Sequence, residues 1–116
     1  MADDLKFSWW QWLPIFRWRL LATVTSADEI PEQLPKNGAV LVGSENKPKW
    51  IGFDCPCRRG HRIVLNLDIA RRPAWSISLS RWKRLSISPS IDYEGDNFRC
   101  HYFIRKGFVL WARDSF

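Results

Sequence analysis

The chain has 116 residues, a formal net charge of +6 from 18 basic against 12 acidic side chains, and eight tryptophans. That length gives one domain and excludes two independent cores. Three cysteines, an odd number, and no signal-peptide pattern argue against a secreted disulfide scaffold, so reduced thiols and a cytoplasmic location are expected.

The first 17 residues read as a Trp-rich arm with Trp9, Trp10 and Trp12, and residues 18–116 as the folded domain. Residues 5–13 suit a short helix that Pro14 ends. Lys6, Pro14, Arg17 and Arg19 interrupt the apolar run, so a transmembrane helix is excluded. An arm docked on its own domain or on a partner is preferred to a segment lying on a membrane surface, because the apolar residues form no clean stripe. The other tryptophans include Trp50, Trp75, Trp82 and Trp111, which composition places in the core.

From residue 16 the pattern is extended. Phe16, Trp18, Leu20, Ala22 and Val24 alternate with Arg17 and Arg19. A single helical turn capped at Ser26 or Asp28 precedes Pro35, and Lys36-Asn37-Gly38 makes a turn. Strands then follow at 39–43 and 50–54, separated by a turn at 45–48. Ile63, Leu65 and Leu67 alternate with Arg62, Val64 and Asn66, as do Trp75, Ile77 and Leu79 with Ser76, Ser78 and Ser80. Residues 85–88 run into Pro89-Ser90-Ile91, and strands 99–105 and 108–112 flank a Lys106-Gly107 hairpin. Short alternating strands at this spacing predict a mainly β fold, an antiparallel barrel or sandwich.

The chemical signal is a split set of soft ligands. Cys55, Cys57 and His61 lie in the middle of the chain, and Cys100 and His101 far downstream; these are all its cysteines and histidines. Two half-sites of this kind predict a zinc ion held by four ligands. The expected set is Cys55, Cys57, Cys100 and His101, with His61 as the alternative fourth ligand. Adjacent residues of a regular strand point to opposite faces, so Cys100 and His101 can both bind only if Cys100 precedes the strand. Four protein ligands make a closed structural site, and three leave a position open for chemistry. No catalytic residue is assigned. Ser88 and Ser90 flank Pro89 without a Gly-x-Ser-x-Gly turn, and a triad would draw on the same histidines as the metal.

Charge adds a candidate contact surface. Arg58, Arg59, Arg62, Arg71, Arg72, Arg81, Lys83 and Arg84 face a single acid, Asp68, over the same stretch. This suits an anionic partner. Arg58, Arg59, Arg81 and Arg84, with Trp9, Trp10 and Trp12, are the expected partner-binding residues.

Several segments in order carry a family resemblance: Glu29-Ile-Pro-Glu-Gln-Leu34, Ala39-Val-Leu-Val-Gly43, Cys55-Pro-Cys57, Arg72-Pro-Ala-Trp75, Ser88-Pro-Ser-Ile91 and Cys100-His-Tyr-Phe-Ile104. Across residues 18–113 the chain resembles a family of small bacterial zinc-binding β domains of unknown function. Some members are encoded beside ubiquitin-like modifiers and E1- and E2-like enzymes. Many carry a further cysteine where Arg59 stands here, and spacer residues where Cys100 and His101 adjoin. The resemblance implies an accessory role in a bacterial conjugation or defence system. The expected function is a zinc-stabilised binding or adaptor protein with a protein partner. The alternatives are a zinc-dependent hydrolase acting on a ubiquitin-like modifier and a nucleic-acid binder that stacks bases on Trp82.

Overall fold

Alternating burial along the strands builds two four-stranded sheets that face each other in a sandwich, one of the two expected forms; the other, a closed barrel, is not formed. The structure, a computed structural model, describes residues 6–12, 17–44 and 46–115. The first sheet has the order β1 (Arg19–Val24), β2 (Gly38–Gly43), β3 (Pro48–Asp54), β4 (Arg62–Asn66). Its β1–β2 pair is parallel, a departure from the all-antiparallel expectation, and its other pairs are antiparallel. The second sheet, β5 (Ser76–Leu79), β6 (Leu85–Glu94), β7 (Arg99–Arg105) and β8 (Phe108–Trp111), is antiparallel throughout.

The core lies between the sheets. Leu41, Ile51, Phe53, Ile63 and Leu65 of the first sheet meet Leu85, Ile87, Ile91, Tyr102 and Ile104 of the second. Trp18 is the tryptophan that enters this core, edge-on to Phe53 at 5.3 Å. Its backbone also joins the sheets, because Trp18 N–H donates to Gly107 O at 2.9 Å and Leu85 N–H donates to Trp18 O at 3.0 Å. The core placement expected for the later tryptophans holds in part. Trp50 and Trp75 are half-buried, whereas Trp82 and Trp111 are exposed. Trp82 sits on a short 3-10 turn with φ +63°, outside the sheet pattern that would bury it.

The β7–β8 hairpin turns on Lys106 (φ +50°) and Gly107 (φ +84°), the two left-handed residues that a two-residue turn between twisted strands needs. A Cβ at Gly107 would lie 2.7 Å from Arg17 Cβ and 3.0 Å from Trp18 O, so glycine is required there twice over. Strand β6 runs through Pro89, which the sequence reading placed at its end. The ladder tolerates the proline because β6 bulges: Ile87 pairs with Ile104 and Ile91 with Tyr102, so Ser88-Pro89-Ser90 stand opposite Phe103 alone.

The arm forms a four-residue 3-10 turn at Trp9–Trp12 where a longer helix was expected; residues 5, 13 and 14 of that expectation lie outside the described residues. Phe7 packs on a smaller cluster of Val24, Leu34, Val40 and Val42 behind the first sheet, and Arg19 lies over the Trp10 ring at 4.8 Å. Among the described residues no helix is long and apolar enough to cross a membrane.

Candidate functional site

Strand alternation sorts the candidate residues onto two faces of β7. Cys100, Tyr102 and Ile104 point into the core, and His101, Phe103 and Arg105 point outward. Because β7 begins at Arg99, both Cys100 and His101 lie inside the strand and their side chains part company.

On the inner face, Cys100 meets the loop that joins β3 to β4. That loop turns on itself where Cys55 N–H donates to His61 O at 3.1 Å and Arg58 N–H to Cys55 O at 3.1 Å. Arg58 (φ +62°) and Gly60 (φ +89°) take the left-handed conformation that so tight a turn demands. The donor atoms of Cys55, Cys57, His61 and Cys100 then all lie within 4.8 Å of one another. Cys57 Sγ is 3.7 Å from His61 Nδ1. A tetrahedral zinc with thiolates at about 2.3 Å would set its sulfur donors about 3.8 Å apart. Three thiols and one imidazole at this spacing fit a metal ion, so the cluster could hold one. His101 is not among the four, and the fourth donor is His61.

The surroundings fix these donors. The His61 ring stacks on Tyr93 at 4.1 Å and 15°, and Phe98 lies beside both rings, 5.4 Å from His61 and 6.0 Å from Tyr93. Cys55 Sγ is 3.5 Å from the Tyr102 hydroxyl, a contact that orients the sulfur from behind. Burial pushes the Cys100 thiol up to about 12, with the neighbouring cysteines adding to it, and raises Cys55 as well. Burial and the Arg59 charge together lower His61, which keeps its imidazole neutral. Without a cation the Cys55 and Cys100 thiols therefore stay protonated; a metal would displace those protons and bind in a preformed, partly buried cage.

On the outer face, His101 joins a different set. Ser90 Oγ–H donates to His101 Nε2 at 2.9 Å, and His101 Nδ1–H donates to Asp114 Oδ1 at 2.7 Å. Each partner is positioned by the fold. The β6 bulge lifts Ser90 out of the ladder, and Trp75 Nε1–H holds its carbonyl oxygen at 3.1 Å. Asp114 lies just beyond β8, in a turn that folds back on β7. There the Ser115 hydroxyl accepts from His101 N–H at 2.8 Å and donates to His101 O at 2.6 Å. Arg99 bridges Asp114 at 3.0 Å and Asp92 at 2.6 Å. The His101 hydrogen bond and the Arg99 charge hold the Asp114 carboxyl below the usual carboxylate range, so it is anionic at neutral pH.

The line Ser90–His101–Asp114 has the connectivity of a nucleophile, a general base and an orienting acid. It uses one of the two histidines and the metal cluster uses the other, which removes the competition that argued against a triad in the sequence. Ser90 was set aside for want of a Gly-x-Ser-x-Gly turn, and Asp114 was not singled out. The alternation through Cys100-His101, which sends the histidine away from the thiols, is a signal that could have freed His101 from the metal set, though it points to neither Ser90 nor Asp114.

The expected partner-binding residues are dispersed. Arg58 and Arg59 are exposed beside the metal loop, with Arg59 lying 4.4 Å over the Phe98 ring. Arg81 and Arg84 lie at the far end of the second sheet. Trp9 is the most exposed residue of the arm, and Trp10 and Trp12 are partly exposed. Arg62 turns back on its own chain, to Asp54 Oδ1 at 2.7 Å and to the carbonyls of Pro31 and Glu32.

Comparison with curated proteins and with solved structures gives no match. A family model described as "Bacterial ubiquitination-like system serine protease (BubE)" matches residues 26–112, a span that holds the metal cluster, Ser90 and His101 and stops two residues before Asp114. The chain belongs to the BubE family.

Proposed function

We propose that this chain is a serine protease of a bacterial ubiquitination-like system, with Ser90 as nucleophile, His101 as general base and Asp114 as the group that orients His101. The observation that carries the reading is the continuous pair of hydrogen bonds from Ser90 through both ring nitrogens of His101 to Asp114. The family description points the same way.

In the reaction Ser90 Oγ forms a bond to the substrate carbonyl carbon as its proton passes to His101 Nε2. The carbon–nitrogen bond then breaks, and His101 returns that proton to the departing amine. A water molecule attacks the acyl-Ser90 ester, again giving its proton to His101, and release of the acid restores Ser90. Asp114 keeps Nδ1 protonated, so that Nε2 is the basic nitrogen, and stabilises the imidazolium that forms in each half.

The Cys55, Cys57, His61 and Cys100 cluster is assigned to zinc. Three thiolates and an imidazole complete a tetrahedron without an open position, so the metal supplies cross-linking and the serine supplies the chemistry. That argument favours a serine mechanism over a zinc hydrolase. It also gives the zinc the structural part expected of it in an adaptor, while an adaptor alone has no use for a Ser-His-Asp line. The partner is accordingly a protein substrate of the conjugation system.

A fluorophosphonate that acylates activated serines tests the assignment. Mass mapping is expected to find one adduct, on Ser90, absent from Ser90→Ala. An adduct elsewhere, or none on a folded and metallated protein, would refute it.

A further inference from the structure

We infer that the outer face of the second sheet is the substrate groove, and that it takes an extended peptide carrying acidic residues about two to four positions from the bond that Ser90 attacks. This rests on the serine-protease reading and adds the substrate's chemistry to it.

A groove of about 1060 Å³ runs along this face and has Ser90 in its lining. Its floor is shallow because β5 and β6 present small side chains outward: Ser76, Ser78, Ser86 and Ser88. One wall is apolar, formed by Phe103, Phe108 and Leu110, and the last two are large side chains left about half exposed. A narrow floor of hydroxyls beside an apolar wall suits a chain in extended conformation, with alternate side chains turned to the wall.

The far end of the groove is cationic. Arg17, Arg81, Arg84, Arg105 and Lys106 line it, and no carboxylate does. None of the five pairs with an acid among the described residues. Two are held in place by aromatic rings of the wall: the Arg17 guanidinium lies 4.0 Å over Phe108 and that of Arg105 5.4 Å over Phe103. The Lys106 backbone N–H donates to Ser86 Oγ at 2.8 Å, which ties the β7–β8 turn to the groove floor. Uncompensated cations on one side of a groove select an anionic ligand.

The spacing follows from the strand. Ser86 and Arg84 lie four and six residues before Ser90 on the chain, but the β6 bulge takes up two of those residues, because Ile87 to Ile91 spans only Ile104 to Tyr102 on β7. A substrate in extended form over the same stretch therefore places its acids about two to four residues from the attacked carbonyl.

The test uses quenched fluorescent peptides with one cleavable bond. One series carries three acidic residues two to four positions before that bond, a second carries them after it, and a third has glutamines in their place. The wild-type protein is expected to cleave one acidic series with a kcat/KM about tenfold or more above the neutral peptide at low salt. That ratio should shrink as salt is added. The double variant Arg81→Glu, Arg84→Glu should abolish or invert the ratio; if it fails to fold, the salt dependence of the wild-type ratio decides. Equal rates for all three series, with cleavage still lost in Ser90→Ala, would overturn the groove assignment while leaving the serine reading intact. Cleavage undiminished in Ser90→Ala would overturn both. A single-stranded oligonucleotide that blocks neutral-peptide cleavage, with no preference among the peptides, would also overturn it and point to a nucleic-acid partner.

Discussion

Strand β7 places Cys100 on its buried side and His101 on its open side, one residue apart. The inner face is mostly buried, with the Cys55 and Cys100 thiols raised by burial, and is lined by four donor groups and stacked aromatic rings. The outer face is polar, reached from a groove, and built of groups hydrogen-bonded in a line. Low dielectric and a complete donor set suit a cation that stays. An accessible hydroxyl beside an oriented imidazole suits turnover. The strand serves both because its period of two separates adjacent side chains by the width of the sheet.

This contrast is sharpest in the variants that touch one face only. Ser90→Ala should lower kcat by about 10⁴-fold or more with the melting temperature unchanged, as measured by peptide cleavage and calorimetry together. Asp114→Asn should cost about 10²- to 10⁴-fold in kcat, since it turns the His101 ring to the wrong tautomer, again without loss of metal. On the inner face, Cys100→Ser or removal of the metal by a strong chelator should cost about 3 kcal/mol or more of stability, read from denaturant unfolding, with activity falling only as the fold is lost. Gly107→Ala should cost about 1–3 kcal/mol, because the φ is left-handed and Arg17 Cβ blocks the new methyl group.

The smallest expected effect concerns Arg99, whose hydrogen bonds hold the Asp92 carboxyl below the usual range and whose charge adds to the His101 hydrogen bond that lowers Asp114. A lowered folded value adds stability that is present above the unfolded value of about 3.9 and is lost as pH falls through the folded one. Arg99→Gln should therefore be less stable than wild type at pH 5–7 and should converge with it in stronger acid. A difference that grows on acidification would contradict this sign.

Local periodicity made much of the molecule legible. The alternation at Ile63–Leu65 and at Trp75–Leu79, and the Lys106-Gly107 turn, are seen where they were expected, because half-buried strands write their faces directly into the sequence, whereas Asn66, expected on the outer face, is buried and donates to the Asp68, Arg71 and Pro73 carbonyls. The parallel β1–β2 pair was not legible, since pairing direction has no local signature. Nor was the continuation of β6 through Pro89, which depends on a bulge opposite Phe103 that only the partner strand defines. The metal cluster was legible as to its three cysteines; its fourth donor turned on whether Cys100 lies in or before the strand. The Ser90–Asp114 connection was out of reach, because it depends on the chain after β8 folding back to clamp His101 through Ser115.

His101→Ala tests the division of labour between the two faces most directly, by counting metal per chain and fluorophosphonate adducts per chain on the same sample. The account predicts about one zinc retained, as in the wild type, and loss of the Ser90 adduct. Loss of zinc with labelling of Ser90 preserved would contradict it.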